Sequence, residues 1–474
     1  MVLNNMTLDR RAFLQKVGAV GFGASLTSTL APMAARAADV SGYKAIVCLF
    51  LKGGMDGHDT LLPYDTGSYN RYAEIRQGFM SADSNLEGGP LRARNALLEL
   101  NPANASMFGS RAYALPRTLS GVHSLFERGK ASIVGNVGPL LTPLNATQFK
   151  ERKDLRPRKL FSHNDQQSTW MALGTEGQRI GWGGRFADAA LASNANSQPA
   201  FTAMSFAGNE VFLSGESVFQ YRVGRNGAPG FEYLNNRQWH GGGRQDPVVE
   251  TLLQEHFSKS SDVPSNLFAQ DVVTTARRAF TSNRDYSEAL DQAPEFEDLF
   301  PDSGLGGQLR AAARTIASRG SLGVNRQVFI VTKGGFDTHN RQVTSMAGLH
   351  NDIDASVSAF YSAMEQLGVE DDVLLFTASD FGRTFTLNNG SGTDHGWGAH
   401  HLVVGGSIDG GKIFGTMPPY DLDHEFDTGR GRMIPSTSVE QFAAPIGRWF
   451  GLNEDEVRSA LPNLTNFEGG PAFV

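Results

Sequence analysis

Four short apolar runs constrain this 474-residue chain more than any other feature. Ala45-Ile46-Val47-Cys48-Leu49-Phe50-Leu51 is uninterrupted by polar residues and closes on Lys52-Gly53-Gly54. Ala131 to Gly135, Gln327 to Thr332 and Asp372 to Ala378 have the same form. A strand with one wet face alternates polar and apolar residues, so a continuous run predicts a strand buried on both faces, as in a parallel sheet. Between the last two runs Val343, Met346, Leu349, Ile353, Val357, Phe360, Met364 and Leu367 recur at threes and fours, which places them on one face of a helix. Strand, helix, strand is a βαβ crossover, and the expected fold is α/β with a mostly parallel central sheet flanked by helices. A Gly-, Asn-, Ser- and Gln-rich stretch over about 177–302 reads as an insertion or cap, with an exposed loop at 235–246.

The first residues read as an address. Arg10-Arg11 precedes Phe13-Leu14, a weakly apolar run continues to Leu30, and Ala35-Arg36-Ala37 ends it. That is the n-region, h-region and A-x-A site of a twin-arginine (Tat) export signal over residues 1–37, with the mature chain, 38–474, starting near Ala38. The leader contributes Arg10, Arg11, Lys16 and Arg36 against Asp9, or +3, so the net charge of −7 becomes −7 − 3 = −10 on cleavage. The expected location is the periplasm or beyond, with the Tat translocase as a transient partner. The acidic balance excludes the electrostatic footprint of a nucleic-acid binder. No later stretch has the 18 consecutive apolar residues of a membrane span. Cys48 is the only cysteine, so any metal must rest on oxygen and imidazole.

Those two donor types gather after the strands. Gly53-Gly54-Met55-Asp56-Gly57-His58 follows the first, Gly334-Gly335-Phe336-Asp337-Thr338-His339 another, and Ser379-Asp380-Phe381-Gly382-Arg383-Thr384 a third, with Asp394-His395 and His400-His401 soon after. Phe161-Ser162-His163-Asn164-Asp165 is a further such segment. Ligands of open parallel sheets bind at the carboxyl ends of strands. Carboxylate with imidazole there suits a divalent ion: zinc, manganese, magnesium or calcium. An isolated Asp in a glycine turn is commonly an Asx residue bonded to its own backbone. Adjacent His400 and His401 on a strand would face opposite ways, so at most one would reach a shared site.

On these motifs, and on Gly431-Arg432-Met433-Ile434-Pro435-Ser436-Thr437-Ser438-Val439, the chain resembles the Tat-exported bacterial family of the domain of unknown function 1501, which is distantly similar to the alkaline phosphatase and sulfatase superfamily. The resemblance covers nearly the whole mature chain. It implies an alkaline-phosphatase-like fold and metal ligation by Asp56, by Asp337 with His339, by Asp380, and by His395 or His400, with Ser162 as nucleophile at a helix start. Two departures stand out: the superfamily's Asp-His pair is Asp380-Phe381 here, and Asp337-Thr338-His339 is unusually tight. Either the site is a one-metal or altered two-metal centre with His58, His163 or Asp394 as substitute ligands, or the metal chemistry has been lost. The expected function is an exported metal-dependent hydrolase of phosphate or sulfate esters, in which Arg383 clamps anionic oxygens. The alternatives are a non-catalytic binding protein for an anionic or carbohydrate ligand, and an envelope assembly factor.

Overall fold

The structure is a computed structural model that describes residues 39–86, 89–224, 255 and 266–474; the expected export signal and the loop at 235–246 lie outside these residues. A nine-stranded sheet forms the centre. Its strands in chain order are β1 (Lys44–Leu51), β2 (Ala131–Gly138), β3 (Ala203–Ser205), β4 (Tyr221–Arg222), β5 (Arg326–Lys333), β6 (Val373–Ser379), β7 (Ala399–Gly405), β8 (Ile413–Phe414) and β9 (Thr437–Ser438). They lie in the order β8-β2-β7-β6-β1-β5-β3-β4, with β9 also on β2. Every pairing is parallel except the two made by β7. The four strands expected from the apolar runs are β1, β2, β5 and β6.

The central position of β1 explains its unbroken apolar sequence. Successive side chains point to opposite faces of the sheet, and both faces are dry. Val47, Leu49 and Leu51 enter one core with Met346, Ile353, Val357, Phe360 and Met364 of the long helix α3 (Gln342–Leu367). Ile46, Cys48 and Phe50 enter a second core with Trp182 and Phe186 of α2 (Trp182–Ala192) and Phe442 and Ile446 of α4 (Val439–Phe450). Each fully buried aliphatic or aromatic side chain there contributes roughly 1.5–3 kcal/mol. Exchanging Phe50 for Ala would open a cavity worth roughly 3–5 kcal/mol.

Part of the segment expected as an insertion or cap joins the sheet and its core. α2 covers the sheet and β3 and β4 extend it. The glycines there mark close contact: a Cβ on Gly181 or Gly184 would strike the backbone of residues 211–215.

Register then positions the loops. Leu51 pairs with Lys333 on one side and Ser379 on the other, so β1, β5 and β6 end level and their loops emerge together. Gly53 has φ +115 and lies where a Cβ would meet the backbone of Phe336 and Asp337; Gly54 has φ +91 and lies against the Phe381 ring. Only glycine admits so close an approach at positive φ. Among the described residues no helix is long and apolar enough to cross a membrane.

Candidate metal centre

Asp337, in the loop after β5, is the focus of the site. Its Oδ1 lies 3.5 Å from His163 Nε2, 3.2 Å from His339 Nε2 and 3.3 Å from His395 Nε2. The ligand atoms of His163, Asp337 and His395 all fall within 4.8 Å of one another, and His339 Nε2 is 2.9 Å from His395 Nε2. The group faces solvent: the Asp337 side chain is 50% exposed and that of His163 30%.

Three separate segments deliver these rings. His163 opens α1 (His163–Ala172), after Phe161 turns the chain at φ 70. His339 follows Asp337 by two residues. His395 is placed by an antiparallel bridge between its own backbone and that of Arg383, in the loop after β6.

Each imidazole is also held from behind. His163 Nδ1 lies 2.7 Å from Asp380 Oδ2, His339 Nδ1 3.3 Å from Asp394 Oδ1, and His395 Nδ1 2.8 Å from the Phe161 carbonyl. A carboxylate or carbonyl can only accept, so it fixes the proton on Nδ1 and turns the Nε2 lone pair inward. This outer support is what metal-ligating histidines ordinarily have. It also leaves two lone pairs facing each other 2.9 Å apart at His339 and His395, an arrangement that a proton or a metal ion between them would relieve. Imidazole and carboxylate together suit zinc, manganese or a similar ion, so the residues present fit the metal implied by the sequence.

The electrostatics agree. The Asp380 hydrogen bond raises the pKa of His163 against the opposing effect of burial. Burial lowers that of His395, the Phe161 carbonyl opposes this, and the neighbouring cations add to it. Burial would raise the pKa of Asp337, but the hydrogen bond and charge of Arg383, with His339 and His163, hold it below the usual carboxylate range. The Phe381 ring lies 4.8 Å from that of His163 and 4.6 Å from that of His395, an apolar wall on one side of the group.

Asp337, His339 and His395, expected as ligands, thus come together, and His163 joins them from among the substitutes. Asp380 does not face the centre. Its oxygens accept from His163, from Gln167 Nε2 at 2.8 Å and from Gly53 N at 3.1 Å, which makes it an orienting group. Asp56 does not join the cluster either: it is buried and gives its oxygens to Arg76 at 2.7 and 3.1 Å and to Gln342 at 2.5 Å. His400 lies within β7, its Nδ1 accepting from Asn136 N at 3.0 Å, and burial lowers its pKa to about 4. His58 is buried and stacks on Phe385 with 4.5 Å between ring centroids. Arg383 cannot clamp a substrate: it is fully buried, donating to the carbonyls of Gly53, Gly54 and Thr393 and, at 2.5 Å, to Asp337 Oδ1. Ser162 stands at the N-cap position of the helix that begins with His163, and its Oγ donates to Asp165 Oδ2 at 2.9 Å.

The sequence profile of proteins of unknown function DUF1501 matches residues 43–461. The chain belongs to the DUF1501 family. No curated protein matches it in sequence. Among solved structures it is similar to Ps i-CgsB in complex with k-i-k-neocarrahexaose, at 10% identity and TM-score 0.35, covering 88% of this chain and 74% of that one. It is also similar to a sulfatase from Pseudoalteromonas sp. (9%, TM-score 0.33, 87% and 68%) and to a mutant of the alkaline phosphatase PafA (11%, TM-score 0.26, 72% and 64%).

Proposed function

We propose that this DUF1501 protein is an exported, metal-dependent hydrolase of phosphate or sulfate esters. The observation that carries the reading is the convergence of three Nε2 atoms on Asp337 Oδ1, each ring braced from behind. His163, Asp337, His339 and His395 would hold a divalent ion, with Asp380, Asp394 and the Phe161 carbonyl fixing the rings. When bound, such an ion supplies Lewis acidity toward an ester oxygen and acidifies a nearby water or hydroxyl. The chain's own residues do the rest. Phe381 shields one side of the group from water. Asp165 takes the Ser162 hydroxyl hydrogen bond and so sets the direction of the oxygen's remaining lone pairs, one residue from His163. Asp337 keeps its negative charge at neutral pH, because Arg383 stabilises the carboxylate.

The test combines elemental analysis of the purified protein with turnover of aryl phosphates and aryl sulfates. The expected result is a bound divalent ion and turnover, both lost in Asp337→Asn, whose amide still accepts from Arg383. Loss of turnover in Ser162→Ala with metal retained would make the serine the nucleophile; retained turnover would make water the attacking group. Metal-free wild-type protein without turnover would sink the reading in favour of a binding protein.

A further inference from the structure

With Arg383 consumed by backbone carbonyls, the cation that meets a substrate must come from elsewhere, and the loop 427–433 supplies two candidates. Arg430 is already engaged, donating to Asp394 Oδ2 at 2.5 Å, to the Leu387 carbonyl and to the Thr386 hydroxyl. Arg432 is different. Its Nε donates to the backbone carbonyl of His395 at 2.8 Å, and its guanidinium carbon lies 5.2 Å from the centre of the Phe161 ring. Phe161 is the residue whose carbonyl holds His395 Nδ1 and whose chain neighbour is Ser162. Arg432 is thereby fixed to two of the elements that build the histidine group.

Its two terminal nitrogens have no protein acceptor among the described residues. The nearby carboxylates are already satisfied. Asp427 accepts from the backbone N–H groups of Gly429, Gly431 and Asp423. Asp394 accepts from Arg430 and Asn388 and faces His339. A guanidinium pinned at Nε and stacked on an aromatic ring presents its remaining edge as a fork, whose geometry matches two oxygens on one centre.

We infer that Arg432 binds the substrate's oxyanion at this site, and that the substrates are esters of a tetrahedral acid with at least two terminal oxygens, a phosphate or a sulfate. The inference rests on the same site as the hydrolase reading and adds to it the group that would hold the anion: the fork grips paired terminal oxygens, which phosphate and sulfate esters both carry.

Three proteins decide it: the full-length wild type, Arg432→Gln and Arg432→Lys, each incubated with Zn²⁺ or Mn²⁺. Metal content comes from elemental analysis, and binding of inorganic phosphate and of sulfate from titration calorimetry. Arg432→Gln should keep the wild-type metal content and lose at least about tenfold in affinity for whichever anion the wild type prefers, the equivalent of roughly 1.4 kcal/mol. Arg432→Lys should recover only part, because an ammonium offers no planar fork. With aryl esters the loss should fall on KM more than on kcat. Preference for phosphate or for sulfate would assign the ester class. Equal anion affinity in wild type and Arg432→Gln, or no anion binding by the wild type, would overturn the inference. If the wild type takes up no metal, the hydrolase reading falls alone, because Arg432-dependent phosphate binding by the metal-free protein would still uphold the anion subsite.

Discussion

Beneath the short helix Gly57–Thr60, Asp56 meets Arg76, and Arg92 joins Asp59 at 2.5 Å to Asp83 at 2.8 Å, all with side chains 4% exposed or less. Around Asp337, on loops that leave the same sheet, carboxylate and imidazole stand half open to water. Both regions are built from acids and nitrogen bases after buried strands, but their bonding is opposite. Under the helix, the Asp56 oxygens receive N–H donors from Arg76, Gln342 and the backbone of His58. In the histidine group the donors point outward, to Asp380, Asp394 and Phe161, and the lone pairs point in. An acid whose oxygens are saturated by guanidinium is structural; a ring whose inner nitrogen has no donor to receive is available to a cation.

The sharpest way to break this distinction is at Asp56. Asp56→Ala leaves Arg76 charged and buried, and should lower the unfolding free energy by about 3–5 kcal/mol in urea titrations; an effect on metal content without loss of stability would reverse the two roles. His339→Ala should do the opposite, weakening Zn²⁺ binding in calorimetry by about 100-fold while the urea midpoint changes by less than about 1 kcal/mol, because the side chain is 40% exposed.

Acid separates the regions next. Burial would raise the pKa of Asp59, but Arg92 holds it at about 2 against an ordinary 3.8. A depressed pKa stabilises the folded state above the unfolded value and ceases to do so as pH falls through the folded one. Roughly 2 kcal/mol should therefore be lost between about pH 4 and pH 2, and Arg92→Met should flatten that part of the pH profile in urea denaturation. The smallest effect is expected at Asp394→Asn, which keeps an acceptor behind His339 but removes its charge. Zn²⁺ affinity should fall by about tenfold by calorimetry; an unchanged affinity would mean that Asp394 serves only to seat Arg430.

The strands, the long helix and the strand-end loops were legible because burial on two faces and helical periodicity leave direct marks in sequence. The site was legible by residue type and less so by role. Asp56 and Asp380 look like Asp337 in sequence, each an aspartate soon after a parallel strand. What separates them is a partner distant in the chain: Arg76 for Asp56, His163 for Asp380. His163 was marked by its segment, but only the fold shows its ring turned toward Asp337. Arg432 carried no separate signal, because the accounting that leaves its terminal nitrogens without an acid requires Asp394 and Asp427 to be seen already satisfied. The close packing of Gly181 and Gly184 was not legible for a related reason, since tight helix packing and exposed loops use the same residue.

The His395 ring is tethered to a carbonyl 234 positions earlier in the chain, so no short fragment can assemble the set of donors. An ion captured there binds the finished tertiary structure and not the denatured coil. By mass action it would then stabilise the native form according to its free concentration over Kd. Melting temperature in the presence of chelator or added Zn²⁺ would therefore report occupancy even before a substrate is identified.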